Sequence, residues 1–422
     1  VTEPAPATGP AEPDAAEIAR VQRRTVWVLS LGQVLGGLAF GATLSLGAVL
    51  AAELSGDESF SGLAAAAVTL GTAATAVPLA ALARGRGRRL SLTAGMAIAL
   101  AGVVMVIVAV SANSFGMLLG AFLLIGAGQA ANLQSRFAAA DLATDASRGR
   151  DLSIVVWATT IGAVLGPNLT GPGEALGAAV GMPPLTGPYL FTVGAQLLAM
   201  ALYLTMLRPD PLLLAQRIVA SARAVAGTIV KPDRPIPARY AIFAIASAHG
   251  VMVSVMAMTP VHLIHHGASL TVIGLTLSLH IAGMYALSPV FGILADRLGR
   301  VPTILIGQGL LAAALLTASF GAESTVAVTV ALVLLGLGWS ASTVAGSALL
   351  TEASSEERRT RRQGFSDFAM SIVGATGAIL AGLVLGWIGY GGLALVVMTL
   401  VAATLVLSPL GLRTAPAAAD PR

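Results

Sequence analysis

Along the 422 residues, long apolar runs alternate with short polar segments. At roughly 20 apolar residues per membrane crossing, the runs are 25–52, 60–83, 89–112, 115–138, 152–171, 187–207, 240–265, 270–292, 302–321, 324–350, 364–386 and 390–411. In hydrocarbon a spanning segment must satisfy its own backbone hydrogen bonds, so the pattern predicts an all-α membrane protein with twelve crossings.

Composition agrees with the pattern. Apolar residues make up 56% of the chain, charged residues 10%, and mean hydropathy is +0.85, which excludes a water-soluble domain. When the segments are assigned to alternating sides, all 24 Lys and Arg fall on the side of the N-terminal tail. The first opposite loop, around Glu53, Asp57 and Glu58, is acidic. By the positive-inside rule both termini are cytoplasmic and the protein is multi-pass in the plasma (inner) membrane. Residues 1–20 are rich in Pro, Ala and acid, without the basic start and apolar core of a cleaved signal. Residues 1–22 are therefore expected to be a disordered cytoplasmic tail, and 413–422 a second. There are no cysteines, and the one lysine, Lys231, follows Val230 rather than the Gly a phosphate loop needs. Nucleotide-driven pumping of that kind is excluded, so uphill movement would draw on an ion gradient.

Between the eighth and ninth runs stands Gly292-Ile-Leu-Ala-Asp296-Arg297-Leu-Gly299-Arg300. This G-x-L-A-D-R-x-G-R wording resembles the loop signature of the major facilitator superfamily of secondary transporters. At an offset of 212 residues, Leu82-Ala83 matches Leu294-Ala295 and Gly87-Arg88 matches Gly299-Arg300, although Arg84 and Ala80 replace the signature's Asp and leading Gly. The resemblance implies two six-helix bundles related by a pseudo-two-fold axis, over 23–208 and 240–412, with substrate near mid-membrane between them. It also implies that Asp296 braces its loop against the start of the fifth helix. The connecting stretch 209–239 carries apolar residues at helical spacing from Leu212 to Val225 beside Arg217 and Arg223, as a helix lying on the membrane surface would. In the fifth run, Gly162, Gly166 and Pro167 resemble the fifth-helix signature of the superfamily's drug–proton antiporters; an ordinary kink explains them equally well.

Several polar residues interrupt the apolar runs. Gln33 lies beside the small-residue steps of Gly32, Gly36, Gly37 and Gly41, and the fourth helix carries Gln129, Asn132 and Gln134. Interhelical hydrogen bonding is one reading. In the superfamily the first and fourth helices line the cavity, so substrate contact is the other. Arg136 and Asp141 at the end of the fourth helix are candidates for a cytoplasmic gate, against simple snorkelling of the arginine to the headgroups. Asp367 opens the eleventh run and reads as an acid favoured by a helix N-terminus. All five histidines fall within 249–280. His262, His265 and His266 read as a solvated helix end. His249 and His280 each lie about 15 Å deep, and their imidazoles make them candidates for proton coupling. With Met252 and Met284 one turn away, the same pair suggests a Cu(I)-type metal site.

The expectation is a transporter rather than an enzyme, a monomer without a cofactor, working by alternating access and exporting small organic compounds in exchange for protons. Its partners would be a small-molecule substrate, protons and the bilayer, with no nucleic acid or nucleotide. Metal-ion efflux and a non-transporting receptor of the same fold are the alternatives.

Overall fold

The computed structural model describes residues 14–57, 60, 62–226 and 232–413. Every regular element among them is helical: α1 Ala15–Ser55, α2 Gly62–Arg86, α3 Arg88–Ser111, α4 Phe115–Ala138, α5 Arg148–Asn168, α6 Thr170–Ala179, α7 Tyr189–Met206, α8 Pro211–Ala226, α9 Pro235–His265, α10 Leu270–Tyr285, α11 Ser288–Arg297, α12 Arg300–Phe320, α13 Thr325–Ala353 and α14 Glu356–Val406, followed by a 3-10 turn at Ser408–Leu412. Side-chain caps mark several starts. The Asp14 carboxylate accepts from Glu17 N–H, and Ser114, Ser269 and Ser324 cap α4, α10 and α13 in the same way.

Among the described residues, nine helical stretches are long and apolar enough to cross a membrane. The last of these, Glu356–Leu412, has 57 residues and is interrupted at Gly389, whose φ of 72° no helix interior tolerates.

Two bundles emerge from the packing. In the first, α1 lies against α4, α5 and α7, α3 against α4 and α7, and α2 against α4. In the second, α13 lies against α9, α10 and α12, and α14 against α9 and α12. Apolar clusters follow the same division, one around Leu50, Phe122 and Tyr189 and another around Leu311, Leu335 and Leu393. Two further clusters cross: Phe137 of α4 packs with Tyr240, Ala241 and Leu350, and Leu152 and Val156 of α5 pack with Val344.

Three expectations change. Residues 15–22 are helical and continue α1 downward, because Asp14 caps the helix well before its apolar portion begins; residues 1–13 and 414–422 lie outside the described residues. The eighth run is two helices, α10 and α11, since Pro289 has no N–H to extend the first and instead sits in the opening turn of the second. The polar segment between the tenth and eleventh runs, 351–363, is not a simple connection: it is helix from Glu356 onward and continues into the eleventh run.

Candidate functional site

The α5 and α11 backbones approach closely at the arginine-bearing end of the bundle. Glycine permits this on both sides: a Cβ at Gly149 would lie 2.5 Å from the Gly292 carbonyl, and one at Gly292 would lie 2.5 Å from the Gly149 carbonyl. The approach carries Asp296 to the first turn of α5. There its two carboxylate oxygens accept the Gly149 and Arg150 backbone N–H groups, each at 2.8 Å. A carboxylate at a helix N-terminus satisfies orphan donors and complements the helix dipole. Arg300 holds the same carboxylate from its own bundle, donates to the Asp145 carbonyl at 2.7 Å and pairs with Glu352 at 3.3 Å. Arg297 caps no partner site in this network and closes the last turn of α11, while Gly299, at φ 101°, makes the turn into α12.

Deeper in the same seam, Arg136 of α4 donates to Asp367 of α14 at 2.5 Å, with side chains 3% and 0% exposed. The second carboxylate oxygen of Asp367 and the Nε of Arg136 have no hydrogen-bond partner. Beside them, fully buried Arg88 pairs with Asp141 at 2.8 Å and donates to Gln363 Oε1 at 2.6 Å, linking α3 to α14. Ser288 of α11 adds a bond to the Ser153 carbonyl of α5 at 3.1 Å. Among the described residues, these polar links between the bundles all lie toward the arginine-bearing end, which is closed.

Outside the membrane segments, Asp233 of the connecting stretch accepts from Arg358, Arg362 and the Ser355 N–H. Burial pulls its carboxyl upward, but the Arg362 and Ser355 bonds and the second guanidinium outweigh burial and hold it below the usual carboxylate range.

Within the first bundle, buried Gln33 donates to the Asn132 carbonyl at 3.1 Å. Gln129, Asn132 and Gln196 line a small cavity next to Gly36. Gly162 packs against the Val34–Gly37 backbone of α1, Gly166 is buried, and Pro167 stands in the last turn of α5 before the break to α6. In the second bundle, His249 Nδ1 accepts from Trp339 Nε1 at 3.1 Å, while Tyr285 meets the Trp339 indole edge-on. His280 Nδ1 donates to the Leu332 carbonyl at 2.7 Å.

The two-bundle arrangement has a sequence counterpart: the pattern of the Major Facilitator Superfamily matches residues 29–269 and again 241–421. The chain belongs to that superfamily. It is 36% identical to the uncharacterised MFS-type transporter YdeG of Bacillus subtilis, over 89% of this chain and 88% of the relative. With YddS of the same organism the identity is 35% over 88% and 87%, and with the riboflavin transporter RfnT of Brucella anthropi it is 28% over 94% and 98%. Among solved structures, the human organic anion transporter MFSD10 (TETRAN) superposes with a TM-score of 0.72 at 18% identity, covering 92% of this chain and 99% of the other. FucP in its outward conformation gives 0.65 at 14% identity, with coverage of 92% and 99%. At these identities the two structures speak to fold alone. This superfamily member is thus a multi-pass membrane transporter and not an enzyme.

Several expected groupings are rearranged in the transporter. Arg136 and Asp141 do not pair with each other: Asp141 lies past the end of α4 and faces Arg88, whereas Arg136 points across to Asp367. Asp367 is no first-turn acid, because α14 begins at Glu356 and places it in the fourth turn, fully buried. His249 and His280 do not meet. They bond to positions seven residues apart on α13, about 10 Å along its axis, because α13 stands between α9 and α10. Met252 and Met284 are buried in the apolar cluster of that bundle, and no group of three or more His, Asp or Glu among the described residues is placed to hold a metal ion. Arg88, Gln363 and Asp367 belong to the seam, though sequence reasoning gave them no role there. For Arg88 a signal existed. It is the repeat mate of Arg300, and its partner Asp141 falls one residue from the repeat position of Glu352, Arg300's partner.

Proposed function

We propose that this transporter exports small organic compounds in exchange for protons by alternating access, with twelve crossings, bundles at 23–208 and 240–412, and the arginine-bearing end facing the cytoplasm. The observation that carries the reading is the buried Arg136–Asp367 pair. It joins one bundle to the other, and it leaves one carboxylate oxygen without a bond. Buried ion pairs are strongly destabilised when one partner loses its charge. A proton on Asp367 therefore releases Arg136, weakens the seam and favours opening toward the cytoplasm. Deprotonation in the opened state restores the carboxylate, and reclosure completes the cycle. Arg136 also acts electrostatically on His249 and Tyr285, so a ligand near Trp339 would sense the state of the pair. A planar organic substrate is consistent with a riboflavin transporter among the relatives.

Purified protein in proteoliposomes, screened against flavins, other aromatic anions and drug-like cations with an imposed pH gradient, tests the reading. Flux that collapses with the gradient, and in Asp367→Asn alone among the seam variants becomes gradient-independent, is the expected result. Flux indifferent to the gradient would remove proton coupling. No flux for any compound, with intact ligand binding, would favour the receptor alternative.

A further inference from the structure

On its outer face the first bundle carries a cavity of about 720 Å³ between the lower parts of α1 and α5, with neither the Arg136–Asp367 nor the Arg88–Asp141 pair in its lining. Six aliphatic side chains share its lining with seven polar ones; Gln22, Arg23, Arg150 and Asp151 stand midway along it, with Ala15, Ile18 and Ala19 below them and Trp27 and Trp157 above. Trp27 is 70% exposed and Trp157 40%, so both indoles face away from the bundle. A bond from Gln22 Nε2 to Asp151 Oδ2 at 2.8 Å sets the two helices level. At that level both turn from charged to apolar, at Arg24–Thr25 on α1 and at Asp151–Leu152 on α5. Arginines at the boundary with tryptophans a turn or two above is the order in which a bilayer presents headgroup and then acyl chain.

We infer that this groove holds an anionic phospholipid, its headgroup at Arg23 and one acyl chain rising between Trp27 and Trp157. Charge complementarity selects the occupant. Arg150 is paired to Asp151, whose other oxygen is occupied by Gln22, so those groups nearly cancel. Arg23 has no ion-pair partner among the described residues, and Arg20 and Arg24 of the same helix end reinforce it. A soluble anion would find the charge but leave the aliphatic wall bare. A neutral amphipath would fill the wall and leave Arg23 uncompensated. The site also adjoins the seam, because the Arg150 backbone N–H is one of the two donors gripped by Asp296.

The test uses full-length protein in nanodiscs of phosphatidylcholine containing a small fraction of lipid with brominated acyl chains, either phosphatidylglycerol or phosphatidylcholine. In a Trp339→Phe/Trp387→Phe background the emission reports Trp27 and Trp157 only. Brominated phosphatidylglycerol should quench more strongly than brominated phosphatidylcholine at the same mole fraction. Arg23→Gln should lower the apparent preference about fivefold, the effect of one basic residue at an anionic surface, and Arg24→Gln, outside the groove, should lower it far less. Ala19→Phe, which fills the groove while keeping every charge, should abolish the excess quenching. Equal quenching by the two lipids, or equal effects of Arg23→Gln and Arg24→Gln, would overturn the proposal, the latter showing general surface attraction only. The readout does not depend on transport, so it fails or succeeds apart from the proposed proton exchange.

Discussion

Replacing Asp296 by Asn keeps the side chain's size and removes its charge, and the consequence follows from the bonds it makes. In the closed seam the carboxylate accepts two backbone N–H groups of α5 at 2.8 Å, and its side chain is only 7% exposed. Asparagine retains one acceptor. Its amide nitrogen then confronts the second N–H as donor against donor. Hydrogen bonds to a charged group are worth about 1.5–3 kcal/mol each, and the helix-end contribution adds up to about 1 kcal/mol at a partly buried position. Water replaces part of this when the seam opens. A net loss of about 2–3 kcal/mol from the closed state remains, and at about 1.4 kcal/mol per tenfold the balance moves roughly 30- to 140-fold toward opening.

Spin labels measure that shift directly. The chain contains no cysteine, so Arg86→Cys on α2 and Arg361→Cys on α14 carry the only labels, and α2 packs on α14 in the closed seam. The Asp296→Asn variant should broaden the distance distribution toward longer values, while Arg297→Gln in the same turn should not. An unchanged distribution together with wild-type flux would refute the brace and leave the loop signature as a marker of topology.

Other perturbations test neighbouring parts. Gly292→Ala places a Cβ inside contact with Ser153 Oγ and the Gly149 carbonyl, so it should open the same label pair without touching a charge; a closed distribution would show that α5 and α11 can separate freely. Asp367→Asn should leave membrane insertion intact but make flux independent of the pH gradient, as read in proteoliposomes. His249→Gln removes the acceptor of the Trp339 indole and should shift Trp339 emission in a chain where the other three tryptophans are Phe, whereas His280→Gln should leave the emission unchanged. Because Asp233 titrates below its ordinary range, its contacts to Arg358 and Arg362 stabilise the fold at pH values above that range and are lost as pH falls through the depressed pKa. The melting temperature of Asp233→Asn should therefore lie below wild type at neutral pH and converge with it in acid.

The long apolar helices were legible because the bilayer imposes the simplest of constraints, a run of apolar length, and the Gly389 break falls where the last two runs were divided. The Asp296 contact was legible through its signature. What escaped were partners set by distance in space. The Arg358–Arg362 segment reads as loop because it lacks apolar residues, yet an exposed helix turn needs none, and eleven residues of register moved Asp367 from a helix start into the seam. The histidine pair failed for a related reason. Depth along a helix says how far a side chain lies from the surface and nothing about its azimuth, and α13 occupies the space between the two rings.

The seam's ion pairs divide by what opening would do to each. Asp141 keeps Arg88, Asp151 keeps Arg150, and Asp296 keeps Arg300, each within its own bundle. For these, opening exchanges a few neutral donors for water and leaves the charge compensated. Among these four buried carboxylates Asp367 is the exception, since its cation belongs to the opposite bundle. Separation leaves it buried beside no positive charge of its own, a state that costs several kcal/mol unless water or a proton reaches it. A proton is the smaller demand on a cavity still lined by apolar helices. In the proposed exchange the arginine-bearing end therefore opens with most of its salt bridges intact, and among the described residues the ion pair that must break is Arg136–Asp367, the one that would trade its cation for a proton.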